Sequence, residues 1–167
     1  MAKHESVVLG DVLANRIDVK TLKVGGDPLN GTDATALVTG ATITVGDEAE
    51  NSINVAVQLQ DGAGNDAAAI QHVLCYLSDD SGGDGVCTTA PDGDVAIGTD
   101  GTIICEHVTD KVFQIMTEAD GEFDLDIGEA GGIGSGTGSS PGVGILYLVV
   151  VLPTGKQVVS GAITFAA

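Results

Sequence analysis

Tryptophan is absent from this 167-residue chain, and the remaining aromatics are two tyrosines and three phenylalanines. A core must therefore be filled by Val, Ile, Leu and Ala, and a sugar-binding surface of stacked, exposed aromatics has little to draw on. Basic residues are almost as scarce: six Lys and Arg stand against 24 acidic residues, a net charge of −18. Such a surface repels phosphate backbones and anionic headgroups, which excludes nucleic acid and membranes as partners. No apolar run reaches membrane-spanning length, and MAKHESVVLGDVLANRIDV lacks the basic, apolar, small-residue layout of a secretory signal. The chain is accordingly expected in the cytosol of the cell that makes it, or released by lysis. No segment carries a helical apolar stripe, and Ser, Asp and His fall in no nucleophile elbow or triad signature, so no catalytic residue is expected.

What the sequence does contain is alternation. SINVAVQLQ places Ile53, Val55, Val57 and Leu59 on one face and Asn54, Gln58 and Gln60 on the other, the period of a half-buried strand. EFDLDIG repeats it, with Phe123, Leu125 and Ile127 inward and Asp124 and Asp126 outward on an open face. Further strands are expected at 41–45, 70–78, 95–98, 101–108, 111–117, 144–152 and 156–165. The run GILYLVVVL is apolar on both faces, which predicts a central strand packed on each side. Asp-Gly pairs begin at 61, 84, 92, 100 and 120, where positive φ angles suit tight hairpin turns. Short strands punctuated in this way predict an all-β sandwich or barrel.

Charge divides the chain in two. Residues 1–36 hold four basic residues against five acids, a net of about −1, whereas residues 37–167 hold Lys111 and Lys156 against nineteen acids. The first segment is nevertheless rich in apolar side chains: Val7, Val8, Leu9, Val12, Leu13, Ile17, Val19, Leu22 and Val24, interspersed with Arg16, Lys20 and Lys23. It is too apolar to float free and too short to bury itself, so it needs a surface. A partner, its own body, or exchange between copies in a trimer would each supply one.

INVAVQLQDGAGNDAAAIQHVLCYLSDD, followed by TEADGEFDLDI, resembles the bacterial and phage Ig-like domains related to invasin and intimin repeats, over roughly residues 41–166. Their pattern is a strand, a D-x-x-G-N turn, a second strand, and later a T-D-x-D-G turn into another alternating strand. The long insertion EAGGIGSGTGSSPGVG departs from that pattern. Upstream, LKVGGDPLNGTDAT is similar to a segment of tailed-phage virion proteins that joins a capsid-bound or fibre-bound arm to an outer domain. The order of arm, body and closing SGAITFA resembles phage head-decoration and head-fibre proteins. The resemblance implies an Ig-like antiparallel β-sandwich at 37–167 preceded by an extended N-terminal arm at 1–36. It further implies a non-enzymatic capsid decoration, cement or head-fibre protein on the virion surface, made in the host cytoplasm. The arm residues named above would bind the major capsid protein, with self-association as a dimer or trimer as a further contact. The alternative is a carbohydrate-binding or adhesin module of a phage tail or bacterial surface, for which only Tyr76 and Tyr147 offer aromatic rings.

Other candidates are weaker. Asp79, Asp80 and Asp84 crowd one loop, where either a solvated turn or a calcium site built with a second loop fits; the spacing is not that of an EF-hand. Cys75, Cys87 and Cys105 match no zinc or redox motif. Cys75 is expected buried in a strand and Cys87 exposed in a loop, with a disulfide among the three open. The glycines at 132–138 are followed by a strand and by no P-loop lysine, which argues against phosphate binding and for a loop at one end of the sandwich. No cofactor is expected.

Overall fold

The computed structural model describes residues 22–24, 27–29, 38–91, 93–129 and 145–165. Among them there is no helix. Strands β1 (Leu22–Val24) and β2 (Asp27–Leu29) pair only with each other, and the remaining strands form two antiparallel sheets packed together. The first sheet contains β3 (Gly40–Ala49), β4 (Ser52–Gln60), β6 (Val95–Ile97) and β9 (Glu122–Gly128), in the order β3-β4-β9-β6. The second contains β5 (His72–Ser78), β7 (Thr102–Val108), β8 (Val112–Met116), β10 (Ile145–Val151) and β11 (Gln157–Val159), in the order β11-β10-β5-β8-β7. A short β12 (Ile163–Thr164) pairs with the start of β10.

This order is that of an Ig-like sandwich. β3, β4, β9 and β6 take the A, B, E and D places, and β5, β10 and β11 take the C, F and G places. The β7–β8 hairpin is inserted between the D and E places and widens the second sheet beyond C. β11 and β12 form one edge broken by a register shift, which Ser160 bridges. Its hydroxyl accepts from the Leu148 amide at 2.9 Å, and its own amide donates to the Leu148 carbonyl at 2.9 Å.

Alternation builds the core as the sequence predicts. Ile53, Val55, Val57 and Leu59 of β4 and Phe123, Leu125 and Ile127 of β9 face Val73, Cys75 and Leu77 of β5, Phe113 and Ile115 of β8, and Leu148 and Val150 of β10. All are essentially inaccessible, and each large aliphatic or aromatic side chain contributes roughly 1.5–3 kcal/mol by leaving water. β10 lies centrally between β5 and β11, and its outward Val149 is also fully buried. The loop after β5 covers it. Gly83 packs so closely that a Cβ there would stand 3.0 Å from Val149 and 3.1 Å from Val159, and the Tyr76 hydroxyl holds the loop by donating to the Gly83 carbonyl at 2.6 Å.

The turns correct the sequence reading. The β3–β4 hairpin turns on Glu50 and Asn51, both at positive φ (53° and 64°), with Ala49 opposite Ser52. The β7–β8 hairpin turns on residues 109–111 with Asp110 at φ 55°. Neither contains Asp-Gly. Gly101 and Gly121, at φ 91° and 83°, instead serve crossings between the sheets. The two turns shared with the Ig-like resemblance come together at one end of the sandwich. In DGAGND the buried Asp61 carboxylate accepts from the amides of Ala63 (2.8 Å) and Asn65 (2.9 Å). In TEADG the Gly121 carbonyl accepts from the Leu59 amide at 3.1 Å, and Gly121 lies directly against the Ala67 carbonyl. The expected arm lies outside the described residues except for the β1–β2 backbone.

Leu125→Ala removes a fully buried side chain from the middle of β9 and is expected to cost about 2–5 kcal/mol in urea unfolding, with little change in the denaturant slope. A loss under about 1 kcal/mol would contradict this packing.

Candidate functional site

The outward face of the first sheet carries the most concentrated polar chemistry among the described residues. Thr42 and Thr44 of β3, Asn54 and Gln58 of β4, Glu122 and Asp124 of β9, and Thr99 and Asp100 from the segment after β6 line a cleft of ≈ 380 Å³. Its organising group is Asp124. Cross-strand pairing sets Ala56 opposite Asp124 and Asn54 opposite Asp126, so the Asn54 amide donates to both carboxylates, at 2.8 Å to Asp126. The other Asp124 oxygen accepts from the backbone amides of Thr99 (2.8 Å) and Asp100 (2.6 Å). The Asp124 backbone adds two bonds, its amide donating to the Asp100 carbonyl and its carbonyl accepting from Gly98.

Strand alternation alone places Asp124 on an open face. The structure corrects this: the 98–100 segment folds over it, leaving 7% of its surface exposed. Burial raises its pKa, but the hydrogen bonds from Asp100, Asn54 and Thr99 outweigh it, so the carboxyl sits below its ordinary value. Glu122 moves the other way. Desolvation, then repulsion from Asp120, Asp100 and Asp66, pushes it up. The two groups titrate apart, yet both Asp124 oxygens are already occupied by protein donors. Asp124 is thereby an anchor for the edge of the sheet rather than a base aimed at a substrate.

The loop carboxylates have local work as well. Asp79 accepts from the Thr88 amide at 3.1 Å, and the Thr88 bonds hold its pKa down. Asp80 accepts from the Gly82 amide at 2.7 Å, closing its own turn. Among the described residues no three His, Cys, Asp or Glu side chains gather as a metal-binding set. All three cysteines are free thiols. Cys75 is buried, as expected, and desolvation raises its pKa strongly. Cys87 is buried too, contrary to its expected exposure, because its amide donates to the Leu77 carbonyl at 2.7 Å and draws the loop inward. The exposed thiol is Cys105, on edge strand β7, with His107 Nδ1 4.0 Å away. Tyr76 is buried and engaged, and Tyr147 is half-buried.

Among the expected arm residues, Leu22, Lys23 and Val24 fall on β1, and Val7, Val8, Leu9, Val12, Leu13, Arg16, Ile17, Val19 and Lys20 lie outside the described residues. So does the glycine-rich stretch 130–144. Sequence reasoning missed the anchoring by Asp124 because the 98–100 segment has no pattern that announces where it folds. A signal was present in Asn54 and Asp126, polar residues on facing alternating strands. Comparison with known proteins finds no matching family model, no matching curated protein and no matching solved structure.

Asp124→Asn puts an amide where the Asn54 donor needs an acceptor, and should cost about 1.5–3 kcal/mol at neutral pH. The folded pKa of Asp124 lies below its unfolded value, so its contribution is present above the unfolded pKa and is lost as pH falls through the folded one. The stability gap between wild type and Asp124→Asn should narrow as urea unfolding is repeated from pH 6 down to pH 3. A constant gap would contradict the assignment. Independently, a colorimetric thiol reagent should titrate one cysteine per native chain and three after unfolding.

Proposed function

We propose that the chain is a non-enzymatic structural protein of a phage particle, which decorates the outer surface of the head through residues 1–36 and holds the Ig-like sandwich out in solvent. The observation that carries this reading is the division of the chain into a nearly neutral, apolar segment and a sandwich holding nineteen of the 24 acids. A body of that charge resists packing against other acidic surfaces and stays hydrated, while the apolar segment gains free energy only by being covered. The sandwich also has two buried carboxylates, Asp61 and Asp124, committed to its own backbone amides. That suits a scaffold better than a reaction site. Symmetric repetition on a shell would multiply a small contact per copy into substantial reinforcement.

A glycan-binding module is the second reading. The polar cleft beside Asp124 offers hydroxyl-bonding groups in Asn54, Gln58, Thr42 and Thr44. It lacks an aromatic platform, since its one ring, Phe123, is buried in the core.

Particles from a strain deleted for this gene supply the test. The purified full-length chain should bind them saturably and co-sediment. Leu9→Asp combined with Val12→Asp should reduce binding at least tenfold without changing the unfolding midpoint of the sandwich. Equal binding by that variant, or no binding by either protein, would overturn the docking role.

A further inference from the structure

The two outward faces of the sandwich differ sharply in charge. β9 of the first sheet carries Glu122, Asp124 and Asp126 outward, whereas β5, β8, β10 and β11 contain no Asp or Glu, and the one acid of β7, Glu106, pairs with the inward Phe113. The central strands of the second sheet thus bring no carboxylate to its outward face, although the loop over one part of that face carries Asp79, Asp80 and Asp84. That face is also apolar. Cross-strand register puts Leu74 beside Val151 and Gln114, Tyr76 beside Val112, and His72 beside Met116. The 79–87 loop covers Val149, yet Leu74 remains 39% exposed, and Val112, Met116 and Val151 are half-buried. Val108, paired with Val112 at the β7 edge, is 47% exposed. An antiparallel sheet with water on one side ordinarily presents polar residues there.

The chain itself brings an occupant to this place. The described domain begins at Val38, which is buried in the core; the Thr39 carbonyl accepts from the Lys156 side chain at 3.4 Å, in the turn leading into β11. The described domain thus starts beside β11, an edge strand of the second sheet. Five strands are about 20 Å wide, and the stretch 30–37 reaches up to about 26 Å when extended. The segment it tethers holds Val7, Val8, Leu9, Val12, Leu13, Ile17, Val19, Leu22 and Val24 against only Asp11 and Asp18. Tethering raises its local concentration well above that of any partner in solution.

We propose that residues 7–24 of the free protein lie across this outward face of their own chain, over Leu74, Val112, Met116 and Val151. The face then stores the apolar segment until a partner surface competes for it. The inference concerns the isolated chain and does not depend on the identity of that partner.

Paramagnetic relaxation tests it in the full-length protein. A nitroxide is attached at Ala14→Cys in a Cys105→Ser background, where the remaining thiols are buried. In methyl-labelled protein the signals of Leu74, Val112 and Val151 should broaden at least twofold relative to the reduced label, while Val45 and Ile97 of the other sheet stay sharp. Adding Leu74→Asp should relieve the broadening. A second sample mixes nitroxide-bearing chains without isotope label with methyl-labelled chains free of nitroxide. Broadening in that mixture equal to the first sample would show exchange between copies and overturn the assignment to the same chain, as would uniformly sharp signals in the first sample.

Discussion

The pairing of β4 with β9 is the contact on which the rest of the structure depends. Inward, it aligns Ile53 with Ile127, Val55 with Leu125 and Val57 with Phe123, the centre of one wall of the core. Outward, the same register puts Asn54 within reach of Asp124 and Asp126. Asp124 can then hold Thr99 and Asp100, which fixes the end of β6 and the point where the chain crosses to β7. A slip of one residue would turn the apolar set to solvent and break the polar anchor together, so the two faces enforce one register. With no tryptophan and no disulfide among the described residues, this agreement between faces supplies specificity that other sandwiches take from a Trp packed on a cystine.

Charge follows from the same arrangement. Carboxylates sit on the outward side of β9 and in the turns, where water or backbone amides stabilise them, and they are absent from the central strands of the opposing sheet. The sandwich is therefore a polar body with one partly apolar side, whose strands leave Leu74 and Val108 exposed. Under the proposed reading, storage of residues 7–24 on their own domain and their use on a partner surface would be successive burials of the same side chains, and the stronger partner would determine which prevails.

Much of the fold was legible because period-two alternation is imposed directly by the pleat. β4 and β9 run over the residues that the alternation marks, and the double-sided apolarity of β10 correctly indicated a central strand with cover outside. Turn placement was less legible. Asp-Gly marks where positive φ is cheap, not where a hairpin must form, and Glu50, Asn51 and Asp110 reach that region because strand pairing compels it. Cys87 illustrates a related limit: a loop residue is buried here by the path of its loop, which hydropathy does not encode. The anchor at Asp124 was half legible, since Asn54 and Asp126 announced a polar pair, whereas the 98–100 segment that completes it is brought in by tertiary structure alone.

The functional account rests on one quantity, the number of copies of this chain on a particle. Quantitative mass spectrometry of purified particles, reporting this chain relative to the major capsid subunit, measures it directly. The account predicts a fixed ratio corresponding to hundreds of copies per head. Complete absence from the particles would contradict it and turn attention to the glycan-binding reading, and a handful of copies would contradict decoration of the head in favour of a tail or collar position.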